Sequence, residues 1–573
     1  MILSPDKQIH DYTERGWWGE KTLIDLFIEN AARSADSLAV ADPPNRAALA
    51  LGEPQRLTYA QLKTATDRLA NALLDSGIGK DDVVVVQLPN IVELVIVYLA
   101  SARIGAILSP LPTQFRTHEL RHVMDLTEPK AFVTAGSFGG HDHAAMAQGL
   151  LPEFSSVELL IAVGDDLPAG VRSLTEILTA DADTSRVDTH VAEHPSSAND
   201  VYTICWTSGT AAEPKGVPRS HNLWIAIAWA TVDAADLEDG DALLNPFPLV
   251  NMSAIGGMLV PWLLTRGRLV LHQPFDLPVF LAQIGSEEIA YTVAPPLLLN
   301  VLLLRPGLLE SADLSPIRSI GSGSAPLSPW MVAQWQERHD IPILNLFGAN
   351  EGTALVSDAG DIPDAEERAL YFPRFGVPGF TWRNRVAGMI ETRLLDPVTR
   401  EEVSEPGTPG ELAIRGATVF SGYWKRPELT EESFDADGYF LTGDLFAIDG
   451  EGGDRYRFVG RLKDLIIRGG MNIAPEEIEY LLADHPKVAE VAVVGVPDGR
   501  MLGEEVVTAV AVPKEGEELK VGDLADYLRE KDIAAYKLPR RLVTVQSLPR
   551  NAVGKVLKRE IRQQLGVREG PLR

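Results

Sequence analysis

Hydrophobic and polar positions change their period several times along this chain, and each change predicts a different kind of element. Across residues 59–76 apolar side chains recur at helical spacing, which predicts an amphipathic helix. The β-branched run at 83–86 predicts a buried strand, and the apolar stretch at 91–104, opening after Pro89-Asn90, predicts a helix. Short apolar runs of the strand type recur at 131–133, 201–206, 269–271, 291–293 and 343–346. Such runs spaced by helical patterns imply βαβ units, because parallel neighbours need a crossover, so the body is expected to be α/β with a mainly parallel sheet.

The pattern then shifts twice. From 381 to about 458, short alternating strands are separated by Gly and Pro turns, as in Gly410-Glu-Leu-Ala-Ile-Arg-Gly416, which predicts a β-rich subdomain. After Arg461 an α+β pattern begins, with strands expected at 465–468, 488–494 and 506–512, helices at 475–485 and 521–531, and a basic tail. A chain of 573 residues exceeds what one core usually organises. The expected division is a large N-terminal body of layered sheets and helices at 1–462 and a small α+β domain at 463–573.

Charge narrows the function. With 80 Asp and Glu against 52 Lys and Arg, the net charge of −28 repels phosphate at long range and argues against nucleic acid or an anionic membrane as partner. An anionic substrate must therefore meet locally placed donors. The single cysteine, Cys205, lies in an apolar run, which excludes a disulfide framework and reads as a small core hydrophobe, not a nucleophile. Pro5 and Asp6 stand where an export signal would be apolar, and Pro89, Asn90, Glu93 and Arg103 interrupt the most apolar stretch, 83–111. A cytoplasmic protein without a transmembrane segment is expected.

The strongest local signal for chemistry is Thr207-Ser-Gly-Thr-Ala-Ala-Glu-Pro-Lys-Gly216, directly after the run 201–206. A strand end in an open α/β sheet is where phosphate ligands are met. The hydroxyls of Thr207, Ser208 and Thr210, the backbone of Gly209 and the ammonium of Lys215 supply the donors and the cation that a polyphosphate needs. It is not a Walker A loop, because Pro214 stands where that motif has Gly and no Gly-Lys-Ser/Thr follows.

This segment resembles the phosphate loop of the adenylate-forming superfamily of acyl-CoA synthetases, adenylation domains and luciferases, with Ala211 and Ala212 replacing the usual Thr and Gly. Further motifs follow in that family's order over nearly the whole chain. Gly321-Ser-Gly-Ser-Ala-Pro-Leu-Ser328 resembles the loop whose backbone meets adenine and the acyl group, which implicates Gly323, Ala325 and Pro326; Ser328-Pro329 also reads as a helix start. Phe347-Gly-Ala-Asn-Glu351 resembles the family's Tyr-Gly-x-Thr-Glu segment. It implies Phe347, Gly348 and Asn350 at the nucleotide and Glu351, with Thr207, at Mg²⁺. Tyr439-Phe-Leu-Thr-Gly-Asp444 and Gly460-Arg-Leu-Lys-Asp464 resemble the segments whose Asp and Arg, here Asp444 and Arg461, grip the ribose hydroxyls.

By the same resemblance, Lys463 occupies the hinge of a mobile C-terminal domain, and Gly469 and Gly470 border the channel for the pantetheine arm of coenzyme A. Leu548-Pro-Arg-Asn-Ala-Val-Gly-Lys555 resembles the closing motif, whose lysine neutralises carboxylate and α-phosphate together. Lys555 and Glu351 are thus the catalytic candidates. Pro248-Leu-Val-Asn-Met-Ser253 matches the region beside the acyl pocket, which places Asn251 and Met252 at the acid.

The resemblance implies an ATP-dependent, AMP-forming carboxylate–CoA ligase using ATP, Mg²⁺ and coenzyme A. The apolar Met252 suits a hydrophobic acid, and Tyr12-Thr-Glu-Arg-Gly-Trp-Trp18 and Pro112-Thr-Gln-Phe-Arg-Thr-His-Glu-Leu120 resemble ligases for cyclohexanecarboxylate-like and medium-chain acids. A homodimer is compatible with it. Two alternatives stay open: an aryl-acid adenylating enzyme that loads a carrier protein, and a degenerate, non-catalytic nucleotide-binding protein.

Overall fold

The computed structural model describes residues 1–49, 51–207, 214–468, 471–497, 505–531, 533–551 and 555–567. Two large sheets carry the body. A seven-stranded sheet runs Lys215–Ser220, Val201–Thr207, Ile107–Pro110, Val83–Gln87, Ala131–Ala135, Leu159–Val163, Arg172–Ser173, and every neighbouring pair except the first is parallel. An eight-stranded sheet runs Ala354–Ser357, Ile343–Gly348, Ser319–Gly323, Ile289–Val293, Ala242–Asn245, Arg268–Leu271, Leu38–Ala41, Arg56–Thr58, antiparallel only at its two edges. The expected α/β body with mainly parallel pairing is observed.

The local causes are those read from the pattern. Parallel strands are covered on both faces, and Val83–Gln87 is buried at every position. Helix Tyr59–Asp75 opens on a reciprocal cap between Thr58 and Gln61 and lies against helix Val92–Arg103, itself buried almost throughout. The stretch 83–111 is therefore core, and among the described residues no helix is long and apolar enough to cross a membrane.

The β-rich region is a five-stranded antiparallel sheet, Tyr371–Pro373, Arg455–Arg461, Phe440–Asp449, Pro409–Gly416, Ile390–Leu395, beginning earlier than 381. The C-terminal unit holds the hairpin Ile466–Arg468 with Met471–Ile473, helices Pro475–Ala483 and Val521–Glu530, and a three-stranded sheet of Val488–Pro497, Glu505–Pro513 and Arg541–Thr544. Ile478, Leu482, Val493, Leu524 and Leu528 give this unit a core of its own.

Candidate active site

Two antiparallel strands set the first half of the site. Asp444 on Phe440–Asp449 stands opposite Arg461 on Arg455–Arg461, and the Arg461 Nε lies 2.9 Å from Asp444 Oδ1. The Nε–H is not aimed at that oxygen, so Oδ1 is a buried acceptor with no hydrogen-bond donor among the described residues. Burial raises the Asp444 carboxyl above its ordinary range, while Arg461, Lys555 and Lys463 pull it down. A buried, charge-paired carboxylate with an open acceptor position can receive the hydroxyls of a diol.

Lys555 comes from the other end of the chain into the same charge cluster. Burial, then the positive charges of Arg461 and Lys463, push its ammonium down to about 8 against the pull of Asp444 and Asp464. Its backbone is clamped by Asn551: the Lys555 N–H donates to Asn551 Oδ1 at 2.8 Å, and the Asn551 N–H donates to the Lys555 carbonyl at 2.9 Å. Neighbouring cations are spent elsewhere. Lys558 binds Glu476 at 2.8 Å and Glu479 at 2.9 Å, and Arg562 binds Asp464 at 3.0 Å. The tail is therefore not simply a solvated basic face, and Lys555, with Lys463, is close enough to Asp444 to pull its carboxyl down.

Lys463 sits in the turn Leu462–Asp464, between Arg461 and the buried Asp464. It is exposed overall, so water softens the desolvation that, with Arg461, lowers its ammonium to about 8.

The second half of the site lies where strand ends converge. Thr207 ends Val201–Thr207 opposite Lys215. Asn350, just past Ile343–Gly348, joins three loops: its Oδ1 accepts from the Met252 N–H at 2.9 Å, its Nδ2 donates to the Trp206 carbonyl at 3.4 Å, and its own carbonyl accepts from Arg219 at 2.9 Å. Glu351 Oε1 accepts from the Tyr423 hydroxyl at 2.9 Å, and the Lys215 ammonium lies 4.6 Å over the Tyr423 ring. One tyrosine thus holds the candidate metal ligand and the candidate phosphate-loop cation.

Among the described residues no group of three or more His, Cys, Asp or Glu could hold a metal ion. A single carboxylate, Glu351, with the Thr207 hydroxyl nearby in sequence to Lys215's strand, fits Mg²⁺, which takes few protein ligands and keeps phosphate and water oxygens.

Gly323 closes the strand Ser319–Gly323 with its backbone pressed against a neighbour: a Cβ there would stand 2.2 Å from the Leu346 carbonyl oxygen. Beyond it Ser324, Ala325 and Pro326 are exposed, and Ser328 caps helix Pro329–His339 with Pro329 at its first position, as the sequence predicts. Phe347 packs among Phe372, Phe446 and Phe458 at 5.0–5.9 Å between centroids, half-buried beside exposed Gly348. Asn251 caps the short helix Met252–Ala254, and half-buried Met252 packs on the core.

Ser208, Gly209, Thr210, Ala211, Ala212, Gly469 and Gly470 lie outside the described residues. Cys205 is fully buried and its thiol is pushed up to about 12, which suits a core residue.

Sequence reasoning missed Tyr423, Arg219 and Asn551. Arg219 is fully buried, lowered by desolvation to about 9, and donates to the carbonyls of Asn350, Leu223 and Thr418. The aromatic pair after Gly422 is a signal that could have marked Tyr423, whereas Arg219 lies in the mixed strand Lys215–Ser220, which gives no such signal.

The description AMP-binding enzyme matches residues 29–424, and AMP-binding enzyme C-terminal domain matches residues 477–555. The chain is 34% identical over 515 residues to the indoleacetate–CoA ligase of Aromatoleum aromaticum, covering 89% of this chain and 94% of that one. It is 30% identical over 562 residues to the medium-chain fatty-acid–CoA ligase of Escherichia coli, covering 97% of this chain and 92% of that one. Its fold matches ATP-bound MatB from Rhodopseudomonas palustris with a TM-score of 0.78 and 28% identity, over 94% of this chain and 98% of that one.

Proposed function

The chain belongs to the AMP-binding enzyme family, and we propose that it is an AMP-forming acid–thiol ligase that converts a carboxylic acid, ATP and coenzyme A into acyl-CoA, AMP and pyrophosphate. In the first half-reaction a carboxylate oxygen bonds to the α-phosphorus of ATP and pyrophosphate leaves. In the second, the thiol sulfur bonds to the acyl carbon, the thiol proton is released and AMP leaves.

The observation that carries this is the meeting of Lys555 with Asp444 and Arg461, from segments far apart in sequence. Asp444 and Arg461 would hold the ribose diol. Lys555 would lie between two anions that otherwise repel, stabilising charge as pyrophosphate departs. Tyr423 would orient Glu351, and Lys215, with the hydroxyls of Thr207, Ser208 and Thr210 and the Gly209 backbone, would hold the phosphates. Mg²⁺, held by Glu351 and Thr207 when bound, supplies positive charge to the phosphate oxygens. Gly323, Ala325, Pro326, Phe347 and Gly348 would border adenine and the acyl group, and Asn350 would keep their loops in register.

For the second half-reaction the unit at 463–573 would turn about Lys463, exchanging Lys555 for Gly469 and Gly470. The acid is hydrophobic in this proposal, medium-chain or alicyclic, with Met252 against it; the two named relatives act on an arylacetic and a fatty acid. The cytoplasm, where coenzyme A and ATP are both supplied, is the proposed location.

The test is a panel of aliphatic, alicyclic and aromatic acids assayed for acid-dependent pyrophosphate exchange and for thioester formation with free coenzyme A or a carrier-protein pantetheine arm. Exchange with transfer to coenzyme A supports the proposal. Transfer to the carrier protein alone favours the aryl-acid loading enzyme, and ATP binding without exchange for any acid favours the non-catalytic nucleotide binder.

A further inference from the structure

The motif Gly410-Glu-Leu-Ala-Ile-Arg-Gly416 forms most of the strand Pro409–Gly416, and nothing in the proposed half-reactions uses it. Its neighbour Phe440–Asp449 pairs regularly with it at Ile414 and Ala413, opposite Phe440 and Leu441, and again at Glu411 and Gly410, opposite Leu445 and Phe446. Between these, Thr442, Gly443 and Asp444 all face the single residue Leu412, so the strand bulges where the candidate diol acceptor stands. On its other edge the same strand shifts register one residue later, between Leu445 and Phe446. A bulge re-aims a side chain and takes N–H groups out of the ladder, which must then be partnered elsewhere.

Here the Gly443 N–H donates to Glu411 Oε1 at 3.0 Å, the Asp444 N–H donates to Thr442 Oγ1 at 3.1 Å, and the Thr442 hydroxyl donates in turn to the Leu412 carbonyl at 2.8 Å. Gly443 takes a φ of +70°, the left-handed region that glycine enters without strain. Glu411 is only 3% exposed, and its other carboxylate oxygen, Oε2, accepts from Arg400. A carboxylate buried in a strand costs more than an apolar residue would, unless it makes a bond that residue cannot. The bond in question is a charge-assisted one to the N–H beside Asp444.

We propose that Glu411 is a positioning residue for the nucleotide: its carboxylate holds the bulge at 442–444 and so aims Asp444 at the ribose hydroxyls. This rests on the reading of Asp444 as the diol acceptor. The atom presented is Asp444 Oδ1, buried and without a donor among the described residues. With the bulge unanchored, the two hydroxyls no longer meet an aligned carboxylate, and a hydrogen bond to a charged acceptor is worth about tenfold to a hundredfold in affinity.

The experiment measures the Kd of ATP, 2′-deoxy-ATP and 3′-deoxy-ATP, each with Mg²⁺, by calorimetry on wild type, Glu411→Ala, Glu411→Gln and Thr442→Val, with urea unfolding of each. Asp444→Ala sets the floor. Wild type is expected to prefer ATP over at least one deoxy analogue by about tenfold or more. Glu411→Ala should reduce that preference to within about threefold of none by weakening ATP, while the deoxy analogue it is compared with stays within about threefold of its wild-type Kd. Glu411→Gln, which keeps an acceptor oxygen at the same place, should restore most of the preference. A role in folding alone would weaken ATP and its analogues equally, so equal weakening, or a preference retained in Glu411→Ala, overturns the assignment. Should Glu411→Ala fail to fold, Thr442→Val decides in the same way, as the other brace of the bulge, and loss of the fold in both also overturns it. A wild type that binds ATP and both deoxy analogues alike sinks the diol reading of Asp444 and Glu411 with it; a wild-type preference that Asp444→Ala abolishes and Glu411→Ala keeps sinks Glu411 alone.

Discussion

Replacing Lys555 by Gln should separate function from stability, because the charge that adenylation needs is one the free fold holds at a disadvantage. Its ammonium falls from 10.5 to about 8 through burial and the like charges of Arg461 and Lys463. At about 1.4 kcal/mol per tenfold, that drop corresponds to roughly 3 kcal/mol against the protonated form. Lys555 is only half-buried, so screening trims the figure to about 1–3 kcal/mol.

The sign follows from the two values. The folded ammonium titrates below the unfolded one, so the penalty is complete below about pH 8, shrinks between about 8 and 10.5, and is gone above. Lys555→Gln should therefore be as stable as wild type or more stable in urea unfolding at pH 7, with the gap closing toward pH 10. Its acid-dependent pyrophosphate exchange should fall by about a hundredfold to a thousandfold, while thioester synthesis from supplied acyl-AMP persists. In wild type, kcat/KM for exchange should decline as pH rises through about 8, since that constant reports the free enzyme. A variant clearly less stable at pH 7, or a stability gap independent of pH, would refute the account of Lys555 as a strained, poised cation.

Three further substitutions probe the groups that hold the site. Tyr423→Phe keeps the ring under Lys215 but removes the donor to Glu351 Oε1, so the Mg²⁺ concentration for half-maximal ATP binding in calorimetry should rise about tenfold while ATP affinity at saturating Mg²⁺ stays nearly level; Tyr423→Leu should weaken both. Asn551→Ala removes the acceptor for the Lys555 N–H, and adenylation should drop about tenfold with thioester formation from acyl-AMP unaffected and Asn551→Asp restoring most of the loss. Gly323→Ala would drive a methyl to 2.2 Å from the Leu346 carbonyl, so the strand must shift, and exchange should fall about a hundredfold as measured at saturating ATP.

Much of the fold was legible because its signals are local. The helix predicted at 59–76 is Tyr59–Asp75, and the strand at 83–86 is Val83–Gln87, since period and capping act within a few residues. Ser319–Gly323 was not read as a strand, because two glycines in five residues argue against one on propensity. It forms because those glycines let it lie flush on Leu346 and Tyr291, a tertiary cause that no window of sequence contains.

The site divides in the same way. Asp444, Arg461, Glu351 and Lys555 could be named because each sits in a recognisable local string. Two residues that hold the site could not, since their partners are distant: Tyr423 reaches Glu351 across 72 positions, and Arg219 reaches the Asn350 carbonyl across 131. The basic tail makes the point most sharply. Lys555 is marked in sequence by the string Leu548-Pro-Arg-Asn-Ala-Val-Gly-Lys555, but what its basic neighbours Lys558 and Arg562 do is visible only from their counter-charges. Glu476 and Glu479 hold Lys558, and Asp464 holds Arg562, leaving Lys555 crowded by Arg461 and Lys463. An unbalanced cluster of cations is unstable until an anion arrives, and that imbalance is why a polyanionic substrate can be drawn to one spot on a chain whose overall charge repels it.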